Sequence, residues 1–282
     1  MQQPQAKRLS GNRLHLCHGP IDLIITAEGD RNAAFATATT RFRTILTELV
    51  AELPRLRQPL DQAPFDGPTA RRMADAVRPH SGVFITPMAA VAGAVADEIL
   101  AAMTAAASLS RAAVNNGGDI ALHLAPGKAF TFAMASAAAR DLGRIEIRAG
   151  DGIGGIATSG RHGRSHSLGI ADSVTVLAAT AAAADAAATL IANAVDLPGH
   201  PAIARAPANA LSPDSDLKDR HVTIGLGRLT PDEIARALTA GETAAKRMRD
   251  RGLVLGAALF LGSQVRTIGA LENQRRTDRI PT

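Results

Sequence analysis

The sequence predicts an α+β fold in which mainly antiparallel sheets are flanked by long helices. Short runs rich in branched apolar residues, separated by glycine-containing turns, predict several consecutive antiparallel strands. A smaller number of much longer segments, amphipathic or rich in alanine, predict helices. Strands and helices do not alternate one by one along the chain, which argues against the doubly wound βαβ class.

The first part of the chain predicts a hairpin followed by a helix. Two short strands over residues 13–26 are separated by a Gly-Pro pair, which is typical of turns. Asp30 or Asn32 then caps a helix whose apolar residues recur at helical spacing. We expect Pro54 to end this helix, because proline cannot donate the next hydrogen bond.

Two more helices are expected next. After a surface crossing over residues 55–68, residues 69–77 predict a short amphipathic helix. Pro87 then begins a long helix of small residues, since proline is tolerated in a first turn. Gly93 inside that helix costs about 1 kcal/mol relative to alanine. We therefore expect another helix or a ligand to pack very closely against it.

The middle of the chain predicts a series of strands and one long helix. Five strands are expected at residues 111–115, 120–124, 129–134, 145–148 and 153–158. The sequence NNGGD, at residues 115–119, predicts a turn between the first two strands, because Asn and Gly accept positive φ. A further strand at residues 173–178 leads into an alanine-rich helix that ends near Val195.

The last part of the chain is expected to begin with a polar connection over residues 199–220. The remaining elements are a strand, a capped helix and a final buried strand, at residues 222–226, 230–251 and 253–261. We find no internal repeat and no sharp shift in composition. The chain is therefore predicted to be a single domain over residues 1–282, with flexible tails at about residues 1–12 and 273–282.

Composition restricts the classes of function. The chain has a formal net charge of +5, no Trp or Tyr and 2% aromatic residues. It lacks the stacking surfaces of single-strand nucleic-acid binders, so no nucleic-acid partner is expected. The one cysteine, Cys17, excludes an internal disulfide and a cysteine-based zinc site. No signal-peptide-like run follows the N-terminus, and Asp185 interrupts the apolar stretch 174–195. A cytoplasmic protein without a membrane partner is therefore expected.

Four segments have the composition of a ligand site. They are TPMAAVAG, NNGGD, TSGRHGRSHS and the pair Asp185 and Thr189, at residues 86–93, 115–119, 158–167 and 185–189. The third segment offers amide, hydroxyl and guanidinium groups, which suit phosphate, although an exposed hairpin loop has the same composition. Asp185 and Thr189 lie one helical turn apart and share a face. Their oxygens suit Mg²⁺, unless Asp185 is a surface charge and Thr189 a packing residue.

Other site chemistries have weaker support. His162 and His166 have a spacing seen in metal sites, but no third ligand is near them in sequence, which disfavours zinc. The sequence GDGIGG at residues 150–155 leads into a strand and not into a helix. This context excludes a Rossmann dinucleotide-binding fingerprint.

The four segments, in this order, resemble the ApbE-like superfamily, whose best-known members are FAD:protein FMN transferases. They are most similar to its UPF0280 branch. The resemblance rests on TPMAAVAGAVADEI, VNNGGDIAL, GIATSGRHGRSHSLGIADSVTV and ADAAATLIANAV, all within residues 86–195. It implies an ApbE-like fold.

The resemblance also implies a ligand set and a reaction. In the transferases an Asp and a Thr with the same spacing bind Mg²⁺, which holds the FAD pyrophosphate. These roles fall on Asp185 and Thr189, with a backbone carbonyl of residues 89–93 as a third ligand. Flavin-nucleotide binding falls on Asn116, Gly117, Gly118, Asp119, Thr158, Ser159 and Gly160. The implied reaction is attack of an acceptor protein's threonine hydroxyl on the FAD pyrophosphate, which releases AMP and leaves phosphoester-linked FMN.

The sequence departs from the transferases in the part that would handle the acceptor. Ala92 and Ala94 stand where the transferases usually carry a Lys and a Tyr. The segment after TSG is shorter and lacks an Asp-Pro pair. His166 is the nearest match to the histidine of that segment and is our candidate catalytic residue. The alternative is a non-catalytic or divergent protein that binds a flavin or a pterin and is linked to tetrahydromethanopterin-dependent one-carbon metabolism. A third interpretation is a purely structural homo-oligomer, for which we expect an exposed Asp185 and no pocket next to it.

Overall fold

The structure is a computed structural model that describes residues 3–135 and 141–271. Contacts divide the chain into two compact units, each assembled from three separated stretches. Unit 1 consists of Met1–Phe130, Ile147–Ala157 and Ala178–Ala186, and unit 2 of Thr131–Glu146, Thr158–Leu177 and Ala187–Thr282. Neither unit is a contiguous part of the sequence, so the single domain over residues 1–282 stays a prediction. The tail expected at residues 273–282 lies outside the described residues.

The described residues fold into thirteen strands and six α-helices. In chain order these elements are β1 (Gln5–Leu9), β2 (Arg13–His18), β3 (Ile21–Gly29), α1 (Arg31–Leu56), α2 (Pro68–Val77), α3 (Val91–Ala106), β4 (Leu109–Asn116), β5 (Asp119–Leu124), β6 (Ala129–Ala135), β7 (Asp141–Arg148), β8 (Gly155–Ser159), β9 (Ser173–Ala178), α4 (Ala181–Ala194), β10 (Ile203–Pro207), α5 (Ala208–Leu211), β11 (His221–Leu226), α6 (Pro231–Asp250), β12 (Gly256–Leu261) and β13 (Gln264–Gly269). A 3-10 turn, Pro87–Ala90, precedes α3.

Unit 1 contains an antiparallel sheet in the order β1-β2-β3-β4-β5 followed by the first part of β8. The hairpin expected over residues 13–26 is confirmed as β2 and β3. The prediction of a flexible tail over residues 1–12 is wrong for β1, which pairs along its whole length with β2. Its residues are mostly polar and exposed, so no buried face marked this edge strand in the sequence.

The first helix of unit 1 differs from its prediction at both ends. The side chain of Asp30, the residue before α1, makes no capping hydrogen bond. The helix continues through Pro54, which was expected to end it. Proline in a last turn removes one hydrogen bond without preventing those that follow. The Arg57 N–H still donates to the Leu53 carbonyl at 3.1 Å.

The core of unit 1 lies between the sheet and the helices α1 and α3, which contact each other and the sheet. Alternate residues of β3 are buried, as expected for a sheet that has one covered face. The segment Pro87–Ala106 is long and apolar enough to cross a membrane. Core helices have the same property, and α3 packs against α1, β4 and β5. The apolar stretch 174–195 is divided between β9 and α4, so it is not one helix.

Unit 2 contains the antiparallel arrangement β9-β12-β13 and the pair β10 and β11. Two predictions are wrong in this unit. The expected connection over residues 199–220 contains β10 and α5, and β13 follows the strand that was expected to be the last. Both missed strands are half exposed, so a buried alternation does not mark them. The cap of α6 is confirmed, because Thr230 and Glu233 form a capping box.

Candidate functional site

Three glycines of unit 1 pack against the backbone at the beginning of α4. A Cβ atom at Gly93 would lie 2.7 Å from the Ala182 nitrogen, and Cβ atoms at Gly154 and Gly155 would also meet the backbone of residues 179–181 at less than 3.0 Å. Real Cβ atoms do not approach so closely. The close packing expected at Gly93 is therefore confirmed, and its partner is another helix.

Asp97 of α3 binds the first amides of α4. The N–H groups of Ala181 and Ala182 donate to its two carboxylate oxygens at 3.0 and 2.8 Å. Burial raises the pKa of Asp97, and these two hydrogen bonds oppose the rise. A negative charge is also favourable at a helix N-terminus. Asp97 was not among the residues predicted from the sequence, although an acid one turn after Gly93 on an apolar helix was a usable signal.

Asp185 lies one turn into α4 and its carboxylate contacts the start of α3. Its Oδ2 accepts the N–H of Gly93 at 3.0 Å, and the N–H of Ala92 also donates to the carboxylate. Burial raises the pKa of Asp185 well above its ordinary value, and the negative charges of Asp119 and Asp97 add to this rise. Asp185 still keeps part of its surface accessible. Two further carboxylates of unit 1 therefore act on that of Asp185, and a cation would reduce this repulsion.

The NNGGD turn is fixed against the same part of α3. Asn116 is buried, and its Nδ2 donates to the Ala92 carbonyl at 3.1 Å. The Oδ1 of Asn115 accepts the Gly118 N–H at 2.8 Å. Both glycines of the turn have positive φ, at 68° and 115°, as predicted. Unit 1 thus brings the predicted residues of this turn to the segment that binds Asp185; they are Asn116, Gly117, Gly118 and Asp119.

The acidic residues of this region do not complete a metal site by themselves. Within residues 3–135 and 141–271, no three His, Cys, Asp or Glu side chains are arranged to hold a metal ion. A cation beside Asp185 would therefore need further oxygen ligands. Magnesium accepts such an arrangement, because phosphate oxygens and water commonly complete its six positions.

In unit 2, the TSG motif is held in place by β9 and the loop before it. The hydroxyl oxygens of Thr158 and Thr175 lie 3.0 Å apart. A Cβ atom at Gly160 would lie 2.6 Å from the Asp172 carbonyl oxygen, so a larger residue does not fit. Thr158 is exposed and Ser159 is half-buried. The contribution of these residues to nucleotide binding stays a prediction.

The loop that follows TSG is organised by Asp172. Arg161 donates through Nε to Asp172 Oδ1 at 2.9 Å, and His162 Nε2 lies 3.3 Å from the same oxygen. The Gly262 N–H donates to the other carboxylate oxygen at 2.7 Å. The first two basic side chains of the loop thus bind a carboxylate of their own unit. Asp172 was not predicted from the sequence, because it joins basic residues about ten positions before it to an amide 90 positions after it.

His166 and Thr189 also belong to unit 2. The exposed His166 lies with Nε2 3.1 Å from the Ser212 hydroxyl oxygen. Thr189 follows Asp185 by one turn of α4 and is half-buried. The catalytic role of His166 and the metal-binding role of Asp185 and Thr189 stay predictions.

Comparisons with known proteins place this chain in a family. Residues 5–267 match the family described as "AbpE bacteria". A UPF0280 protein of Methanothrix thermoacetophila is 33% identical over 233 residues, which are 77% of this chain and 88% of that protein. A UPF0280 protein of Methanothermobacter thermautotrophicus is 34% identical over 68% of this chain and 70% of its own length. The protein is therefore of the ApbE-like class. Within that class, it belongs to the UPF0280 family.

Two solved structures share the fold. The ApbE protein of Thermotoga maritima superposes with a TM-score of 0.53 and 12% identity, over 96% of this chain and 99% of that one. The apo flavinyl transferase ApbE of Pseudomonas stutzeri superposes with a TM-score of 0.50 and 12% identity, over 97% and 98%. These similarities confirm the predicted ApbE-like α+β fold.

Proposed function

We propose that this protein binds FAD with Mg²⁺ held by Asp185 and Thr189, and transfers FMN from it to an acceptor protein. The environment of Asp185 carries the proposal. Asp185 is half-buried, its Oδ2 accepts the Gly93 N–H, and its carboxylate lies in the electric field of two further carboxylates. The flavinyl transferase of Pseudomonas stutzeri has the same fold.

A divalent cation suits this environment for an electrostatic reason. Burial and the charges of Asp119 and Asp97 raise the pKa of Asp185, so the ionised carboxylate is costly without a counter-charge. Carboxylate and hydroxyl oxygens are ligands that Mg²⁺ prefers, and the ion retains positions for phosphate oxygens. When bound, Mg²⁺ supplies polarisation of the phosphoryl oxygens of the pyrophosphate.

The chain's own residues would position the nucleotide and the acceptor. The turn containing Asn116 is rigid and rich in glycine, which allows a ligand to approach its backbone closely. The hydroxyls of Thr158 and Ser159 are suited to hydrogen bonds with the nucleotide. We assign to His166 the removal of a proton from the acceptor hydroxyl, for which a neutral imidazole is suited.

The test is incubation of the purified protein with FAD, Mg²⁺ and a threonine-containing acceptor protein, followed by chromatography of AMP and FMN. We expect release of AMP that requires Mg²⁺ and is lost in Asp185→Asn. This variant keeps one oxygen that accepts the Gly93 N–H, and its circular dichroism spectrum checks that the fold is preserved. Asp75→Asn, at an exposed position of α2, is the matched control and should retain activity. Absence of AMP and FMN with FAD and every divalent cation tried would refute the transferase.

A flavin- or pterin-binding protein without chemistry is the second candidate. Ala92 and Ala94 favour it, because neither can supply the charge or hydroxyl that the transferases usually have there. The engagement of Arg161 with Asp172 also favours it, since that guanidinium is already paired within unit 2. A ligand that raises the melting temperature and is recovered unchanged would support binding alone. FAD, FMN and a tetrahydropterin are the ligands to compare.

A further inference from the structure

A cavity of about 290 Å³ opens at one end of strands β3 and β4 in unit 1. Its walls include Thr26, Glu28, Arg31, Arg111 and Phe130, together with the β1–β2 turn. Pairing of β3 with β4 shifts register between Glu28 and the following glycine, so the ladder is irregular beside the cavity. Irregularities of this kind are frequent next to binding sites.

This cavity is separate from the surroundings of Asp185. Arg111 lies near the beginning of β4, whereas Asn116 ends the same strand and bonds the segment that holds Asp185. The five residue steps from Arg111 to Asn116 extend over about 17 Å at ~3.3 Å per step. A small ligand in the cavity would therefore not reach the proposed magnesium site.

The two arginines that line the cavity differ in their hydrogen bonds. Arg111 is paired with Glu28 through two guanidinium hydrogen bonds and also donates to the Ala129 carbonyl at 3.0 Å. The second lining cation, Arg31, is different. Among the described residues its side chain makes one hydrogen bond, from Nε to the Ala27 carbonyl at 2.9 Å. Its two terminal amino groups thus remain available for a bidentate partner.

Two further features favour an anion. Arg31 is the first residue of α1, where the helix dipole is positive. Lys128 acts on Glu28 together with both arginines, so the charged groups around the cavity carry an excess of positive charge. Phe130 supplies an apolar wall, and the guanidinium of Arg111 lies 5.4 Å from the centre of its ring. The volume of about 290 Å³ is at the lower limit for small-molecule sites, which favours a small ligand.

We propose that this cavity is a binding site for a small organic anion with an apolar or aromatic part. The terminal amino groups of Arg31 bind its carboxylate or phosphate group, and the apolar part contacts Phe130. The paired Glu28 and Arg111 form a fixed wall that holds the ring of Phe130 in place.

The chain has no Trp or Tyr, so Phe130→Trp introduces a single fluorophore into this wall. The probe is phenyl phosphate, compared with inorganic phosphate and with uncharged benzyl alcohol, at low ionic strength. We expect a saturable change in tryptophan emission with phenyl phosphate and at least tenfold weaker binding of the two fragments. Adding Arg31→Gln should weaken binding of phenyl phosphate at least tenfold, and Arg43→Gln, exposed on the same helix, should not change it.

Calorimetry of phenyl phosphate with the otherwise unmodified protein and with Arg31→Gln repeats the test without a change at Phe130. Three results would overturn the proposal. They are the absence of saturable binding by both methods, equal affinity in Arg31→Gln and Arg43→Gln, and binding of benzyl alcohol as tight as that of phenyl phosphate. Flavin transfer takes no part in these measurements, so they remain decisive whatever the outcome at Asp185.

Discussion

Gly93→Ala tests the packing of α3 against α4. On an isolated helix this change would stabilise by about 1 kcal/mol, because alanine has the higher helix propensity. Here the added Cβ would lie 2.7 Å from the Ala182 nitrogen and closer still to the Ala181 carbonyl oxygen. Ordinary contacts between non-bonded heavy atoms are about 3.5–4.0 Å. The two helices must therefore move apart by about 1 Å.

The cost of this movement exceeds the gain in propensity. Overpacking typically costs about 1–3 kcal/mol. Separation also weakens the hydrogen bonds of Asp185 to Gly93 and of Asp97 to the first amides of α4, which adds about 1 kcal/mol. After subtraction of the propensity term, we expect Gly93→Ala to lower the free energy of unfolding by about 2 kcal/mol. The melting temperature should fall by about 4–8 °C.

Thermal unfolding followed by circular dichroism measures this difference. Gly82→Ala is the control, because a Cβ atom at Gly82 has no neighbour within 4 Å. Its stability should change by less than about 0.5 kcal/mol. If Gly93→Ala is as stable as the unmodified protein, or more stable, α3 and α4 do not depend on backbone contact at Gly93 and the reasoning is wrong.

Three further predictions concern single side chains. The pKa of Asp185 is raised in the folded protein, so in EDTA the folded protein binds more protons than the unfolded chain at pH values between the ordinary and the raised pKa. Stability, measured by thermal unfolding, should therefore fall as pH rises through this window. Asp185→Asn should lose part of this pH dependence and all stabilisation by Mg²⁺. Burial opposes the ionisation of Glu98, but hydrogen bonds from Arg72 and Arg41 hold its pKa below the ordinary value. Glu98→Gln should therefore lower the free energy of unfolding in urea by about 2 kcal/mol at neutral pH. The difference should become smaller at acidic pH, where Glu98 itself is protonated, and an equal difference at all pH values would contradict the prediction. Thr230→Ala should cost about 1 kcal/mol through loss of the capping box, and no change would show that the box is dispensable.

Elements with local signals could be predicted from the sequence. The strand at residues 173–178 is buried throughout and was predicted with its observed limits. The NNGGD turn and the cap at Thr230 each depend on residues within a few positions of one another. Gly93 could be identified as a packing position because glycine is unfavourable inside a helix.

Features that depend on distant partners could not be predicted in this way. Asp97 acts on amides 84 and 85 positions further along the chain, and Asp172 binds Gly262 across 90 positions. The strands β1 and β13 have no buried alternation and exist through pairing with β2 and β12. The sequence shows which side chains are present, but the topology of the folded chain determines which partners they meet.

The interleaving of the two units has a consequence for synthesis on the ribosome. Unit 1 needs residues 147–157 and 178–186 in addition to residues 1–130, and Asp185 lies in the last of these stretches. At about 5–20 residues per second, translation takes ~3–11 s to proceed from residue 130 to residue 186. During this interval the nascent sheet lacks β8, and the backbone of α3 at Gly93 has no α4 to cover it. The cover that α4 gives to Gly93 and the carboxylate of Asp185 therefore exist only in chains that have passed this point.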